Sequence, residues 1–190
     1  MALEGGSARR VAFIAMMAAL GNAMFALSIT VLNWGNIALD LSHIGTAMAA
    51  IYAGPLAGAI VGALVGIGGG LYFGSVSGLM ALYLPGFIVG KSMTGATIGG
   101  LVKAARLWER RRRSLVTALI VALGYVPECL FTVAFFLVLI PMFAPPAIAG
   151  FLTSLLVPIL IKAWAEVIMI GFYMAALVGN QGFLHVMARL

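Results

Sequence analysis

The stretch Gly54-Pro-Leu-Ala-Gly58-Ala-Ile-Val-Gly62-Ala-Leu-Val-Gly66-Ile-Gly-Gly-Gly70 decides the fold. Glycine recurs at 54, 58, 62, 66 and 70. On a helix that spacing places all of them on nearly one face. In water each glycine would cost roughly 1 kcal/mol relative to alanine. In lipid a face without side chains lets a neighbouring backbone approach, and close packing drives helices together where no hydrophobic effect acts between them. The stretch therefore predicts the central packing helix of a membrane bundle.

The rest of the chain agrees. Of 190 residues, 64% are hydrophobic and 8% charged, where a soluble domain carries about 25% charged residues. A spanning helix needs about 20 residues, so one domain of six spans with short loops fits the length. The net charge of +6 would suggest nucleic acid in a soluble protein. Here the basic residues bunch at Arg9, Arg10 and between Lys103 and Arg113, which suits cytoplasmic loops, and no nucleic-acid partner is expected. Cys129 is the only cysteine, which excludes an intrachain disulfide.

Apolar runs place the spans at 9–29, 43–53, 54–73, 79–102, 115–140 and 151–178. The first is longer than the apolar part of a signal peptide and is taken as a span. The second is short and is expected to be tilted or partly re-entrant. Gly74 to Gly78 is a turn cluster, and Pro141-Met-Phe-Ala-Pro-Pro146 is expected to break the fifth run. The expected fold is an all-α integral membrane bundle of six helices with both termini cytoplasmic. The loops then assigned to the outside, around 30–42, 74–78 and 141–150, carry a single charge, Asp40.

Lys91, Glu128, Lys162 and Glu166 lie within these spans. An ionisable group at mid-membrane costs about 2.5–3.5 kcal/mol on insertion scales, so it needs a partner or a function. Lys162 and Glu166, four apart, can pair on one face. Lys91 and Glu128 can pair between helices. Tyr83, Phe87 and Lys91 share a face, as do Glu128, Thr132 and Phe135, with Tyr125 just below. Aromatic rings with a few polar groups suit a pocket for a flat, polar small molecule, or else an aromatic core. Asn33, Trp34, Asn36 and Asp40 in the first outer loop either close over such a pocket or anchor the loop at the interface.

Gly86 to Ser92 resembles a phosphate-binding loop but has three residues between its glycines where the motif needs four. No metal-ligand spacing and no nucleophile set appears. No catalytic residue, metal or cofactor is expected, and the chain is read as not an enzyme. On the first span Ala12, Ala15, Ala19 and Ala23 form a stripe of small residues. It serves either docking on another subunit or packing within its own bundle.

Together these features resemble the substrate-binding S component of energy-coupling factor (ECF) transporters. The likeness rests on Arg9-Arg10 before an alanine-rich helix and on Ala15-Met-Met-Ala-Ala19. It rests further on Asp40-Leu-Ser42 leading into Gly54-Pro-Leu-Ala-Gly58, and on Val157-Pro158-Ile-Leu-Ile-Lys162. The riboflavin-type members are nearest, while His43, Gly45 and Gly66-Ile-Gly68 depart from their pattern. The resemblance implies capture of a water-soluble vitamin or precursor, with riboflavin the leading candidate. It also implies docking through the first-helix alanines on a transmembrane coupling subunit driven by two cytoplasmic ATPase subunits, in a prokaryotic plasma membrane. A standalone secondary carrier or channel is the alternative.

Overall fold

The computed structural model describes residues 7–31, 33–34 and 37–189, with the side chains of 33–34, 37–38 and 188–189 left aside. The architecture is all-helical apart from a two-residue β-ladder. α1 spans Ser7–Val31 and is followed by β1 (Asn33–Trp34) and β2 (Ile37–Ala38), paired antiparallel. α2 is His43–Ala53, α3 Pro55–Ser77 and α4 Met80–Ala104. One 3-10 turn at Leu107–Glu109 precedes α5 (Arg113–Gly124) and α6 (Val126–Ala134). A π-helical segment, Phe135–Leu139, leads into α7 (Ile140–Phe143). α8 is Pro146–Ser154, α9 Leu156–Gly179 and α10 Gln181–Arg189.

Among the described residues, four helical segments are long and apolar enough to cross a membrane: Ser7–Val31, Pro55–Ser77, Arg113–Phe143 and Pro146–Gly179. The outside of the bundle carries exposed Leu20, Leu64, Leu119, Leu130, Ile161 and Phe172. A lipid-facing surface has that composition, and a water-facing one would be polar.

The glycine face of α3 packs on α4. A Cβ built on Gly66 would stand 2.6 Å from the Phe87 carbonyl oxygen, and one on Gly70 2.6 Å from Leu84 Cα. At Gly58 it would meet the Gly95 carbonyl, and at Gly62 the backbone of Lys91. The helices thus run antiparallel, backbone against backbone, with 58 opposite 95 and 70 opposite 84. Gly54, at φ 89°, separates α2 from α3 without a side chain to strain.

α2 is short and almost wholly buried. Its 11 residues are buried except Ile44, which is half-buried, and at about 1.5 Å per residue it covers only about half a membrane thickness. The connector before it enters the bundle. The Leu41 N–H donates to Ser28 Oγ at 3.2 Å, and the Asp40 N–H donates to Glu166 Oε1.

Three loop boundaries shift from expectation. α3 continues through the Gly74–Gly78 cluster to Ser77, and only Gly78, at φ 72°, turns the chain. The fifth run breaks within the Pro141–Pro146 stretch as expected, but at its second proline rather than its first. The π segment precedes Pro141, and helix continues through it to Phe143. The break is at Ala144, extended at φ −102° and ψ 151° ahead of Pro145. The sixth run begins at Pro146 rather than Phe151, with a joint at Leu155 three residues before Pro158. The joint at Tyr125 likewise lies two residues before Pro127. Each proline removes one ladder hydrogen bond to the residue four earlier.

The basic residues gather at one end. Arg10 donates to the Ala53 carbonyl at 3.1 Å. Tyr52 packs against Trp108 and Phe183, with ring centroids 5.4 Å and 5.9 Å apart. The start of α1, the arginine-rich connection and α10 therefore meet around the α2–α3 junction. A core of Phe13, Ile51, Ile98, Leu107, Met174 and Leu184 fills this half. An aromatic cluster of Tyr83, Phe135, Phe136, Leu152 and Leu156 lies in the other.

Candidate functional site

The α3–α4 register sets Lys91 in the centre of the bundle, its backbone against Gly62. Lys91 is 2% exposed. Its Nζ lies 2.8 Å from Asp40 Oδ2, 2.8 Å from Ser42 Oγ and 3.3 Å from His43 Nε2. All three partners come from the connector after β2 and the first residue of α2. The Ser42 N–H donates to Asp40 Oδ1 at 2.9 Å, which holds the carboxylate in place. Lys91 thus pairs with Asp40 rather than with Glu128.

Glu128 finds other partners. Its Oε2 accepts from the Thr94 hydroxyl, and its Oε1 is 3.5 Å from His43 Nε2. Lys162 and Glu166 form the expected pair at 3.3 Å. The Asp40 N–H on Glu166 joins the two halves of this floor. Asp40, His43, Lys91, Glu128, Lys162 and Glu166 therefore form one continuous polar network drawn from the connector, α2, α4, α6 and α9.

Above this floor is a cavity of about 700 Å³, within the range of small-molecule sites. Its walls are aromatic. Phe73 and Phe87 stack at 5.4 Å and 17°, and Tyr83 meets Phe135 edge-on at 5.2 Å. Tyr125 stands edge-on to both His43, at 6.1 Å, and Trp164, at 5.4 Å. Phe131 and Phe25 complete the walls, and Phe151, Leu152 and Ile159 lie on the α8–α9 side. Flat rings lined up beside an ionic floor can hold a planar molecule by its faces and hydrogen-bond its polar edge.

Asp40, Tyr83, Phe87, Lys91, Tyr125, Glu128, Thr132, Lys162 and Glu166 all line this one cavity. Asn33 and Trp34 contribute described backbone only, in β1, and Asn36 lies outside the described residues. Sequence reasoning missed His43, Ser42 and Thr94. In the sequence His43 and Ser42 stand out only as positions compared with the riboflavin-type pattern. Thr94 stands three residues after Lys91 on the same helix, and that spacing was an available signal.

The alanine stripe faces away from the bundle. Ala12, Ala15, Ala19 and Ala23 are exposed, while Phe13, Ala18, Gly21 and Phe25 make the buried face of α1. Packing within the described bundle does not use the stripe.

The fold and this site define an all-α membrane protein with a cavity between aromatic walls and a buried ionic floor. No family model, curated protein or solved structure matches the chain.

Proposed function

We propose that this chain is the membrane-embedded substrate-binding subunit of an ECF-type importer. It captures a water-soluble vitamin or precursor, with riboflavin the leading candidate, and has no enzymatic activity of its own. The observation that carries the reading is the cavity, which sets stacked aromatic walls over the Asp40–Lys91 and Glu128–His43 floor in the half of the bundle away from the basic end. In this reading α1, α2 with its connector, α3, α4, α5–α7 and α8–α9 make six crossings. Both chain ends are cytoplasmic, as the arginines around the α2–α3 junction favour. The cavity then opens to the outside. The exposed Ala12, Ala15, Ala19 and Ala23 dock on a transmembrane coupling subunit, which two ATPase subunits drive.

Mass spectrometry of small molecules released by denaturing the detergent-purified protein, after an absorbance spectrum of the intact protein, tests this. A stoichiometric vitamin-like compound is expected, and a yellow preparation identifies a flavin. Protein that retains nothing after incubation with vitamins, yet still transports a solute in proteoliposomes without partner subunits, is instead a standalone carrier or channel.

A further inference from the structure

The aromatic cavity carries an excess of negative charge. Among the described residues its charged lining is three carboxylates, Asp40, Glu128 and Glu166, and two ammoniums, Lys91 and Lys162. The chain between Val31 and Leu41 holds no charged residue but Asp40. Asp40 is matched by Lys91 at 2.8 Å and Glu166 by Lys162 at 3.3 Å. Glu128 is the carboxylate left over. Its side chain is 13% exposed, and its partners are the Thr94 hydroxyl and His43 Nε2, neither of them on a lysine or arginine.

His43 does not make up the difference. Lys91 Nζ lies 3.3 Å from the same Nε2 that is 3.5 Å from Glu128. An ammonium has three protons to donate and no lone pair with which to accept. Asp40, Ser42 and His43 Nε2 take those three protons, so Nε2 is the bare nitrogen of a neutral ring. A proton on it would face an ammonium 3.3 Å away. Nδ1 is buried and bonds to nothing among the described residues, so a charged imidazolium would have no acceptor on that side, which costs more than a neutral N–H left unpaired. Glu128 Oε1 then receives no proton from the protein. A carboxylate so placed in a membrane interior calls for a counter-charge.

The surroundings of Glu128 suit a cation. A Cβ built on Gly90 would stand 3.4 Å from Glu128 Cγ and 3.6 Å from Phe131 Cδ1, so carboxylate and ring flank one open stretch of α4. Tyr125, three residues before Glu128, also lines the cavity. Ring faces attract cations, most strongly where water is excluded. Given the reading of this cavity as the substrate site, on which this inference rests, we propose that its ligand is a planar organic cation, a positively charged nitrogen heterocycle. The rings hold it by its faces, and its charge lies beside Glu128. Riboflavin, which leads by sequence resemblance, is neutral and is the competing outcome of the test.

The test uses the full chain in detergent and two tricyclic probes of similar size. Proflavine is a planar cation at neutral pH, and lumiflavin is the neutral ring system of a flavin. Fluorescence titration, with empty micelles subtracted, reads binding. Proflavine should bind about tenfold more tightly than lumiflavin, Glu128→Gln should erase that preference, and Phe131→Leu should reduce it. Ligand-free Glu128→Gln should melt no lower than the parent, because it removes an unmatched buried charge and keeps an acceptor for Thr94. A variant melting several degrees lower would mean that the protein itself matches Glu128, and would overturn the proposal. Lumiflavin binding as tightly as proflavine, or more so, overturns the cation and leaves the binding-subunit reading standing. If neither probe binds, the compound released by denaturation decides: a cation supports the proposal, and a neutral or anionic compound overturns it. Nothing bound and nothing released overturns both readings.

Discussion

Replacing Lys91 by methionine tests whether the ionic floor holds the connector inside the bundle. Lys91 is 2% exposed and bonds Asp40 and Ser42 at 2.8 Å each. Methionine keeps much of the volume and removes the charge. Asp40 is then a buried carboxylate without its cation, and breaking such a pair costs about 3–5 kcal/mol. At about 2–4 °C per kcal/mol for a chain of this size, Lys91→Met should melt on the order of 10 °C below the parent. Adding Asp40→Asn removes the stranded charge and keeps an acceptor for the Ser42 N–H, so the double variant should recover at least half of that loss. Intrinsic fluorescence of the detergent-solubilised protein during heating reads both. A double variant that melts as low as Lys91→Met alone would refute the assignment of the pair.

Other outcomes follow from the same geometry. Gly62→Ala would drive a methyl into the backbone of Lys91 and should destabilise by about 1–3 kcal/mol. Gly100→Ala, also in a helix but with nothing within 4 Å of the new Cβ, should be neutral or stabilise by up to about 1 kcal/mol; equal melting temperatures for the two would sink the close-packing account. Ala15→Trp or Ala19→Trp should abolish uptake in cells while leaving ligand binding and melting temperature unchanged, because both positions are exposed; loss of binding would mean that the stripe serves internal packing. Glu128→Gln should weaken binding of the released ligand more than tenfold by isothermal titration, and unchanged affinity would move the site elsewhere.

How far each feature was legible depends on the range of the force behind it. Gly58, Gly62, Gly66 and Gly70 announce a close helix–helix contact because helical period and side-chain size are local properties. Tyr83, Phe87 and Lys91 could be placed on one face for the same reason, and the Lys162–Glu166 pair needs only one helical turn. The apolar runs announce membrane helices because their length and composition suffice. The alanine stripe was visible too, although its orientation was not.

Pairing between segments distant in the chain was settled by tertiary structure. Nothing local tells that Asp40, 51 residues before Lys91, is its partner in place of Glu128. That choice follows from the α3–α4 register, which sets the depth of Lys91, and from the short α2, which forces the connector down to meet it. The joints at Tyr125 and Leu155 and the continuity through Pro141 likewise do not follow from the position of a proline alone, since one proline is passed over and the others bend the helix. The sequence by itself determined the helices, the face of closest approach and the charges that must be buried, because periodicity and transfer cost act residue by residue. Only the tertiary structure decided which buried charge met which. Ion pairing needs contact within about 4 Å, and contact is set by the packing of the whole bundle.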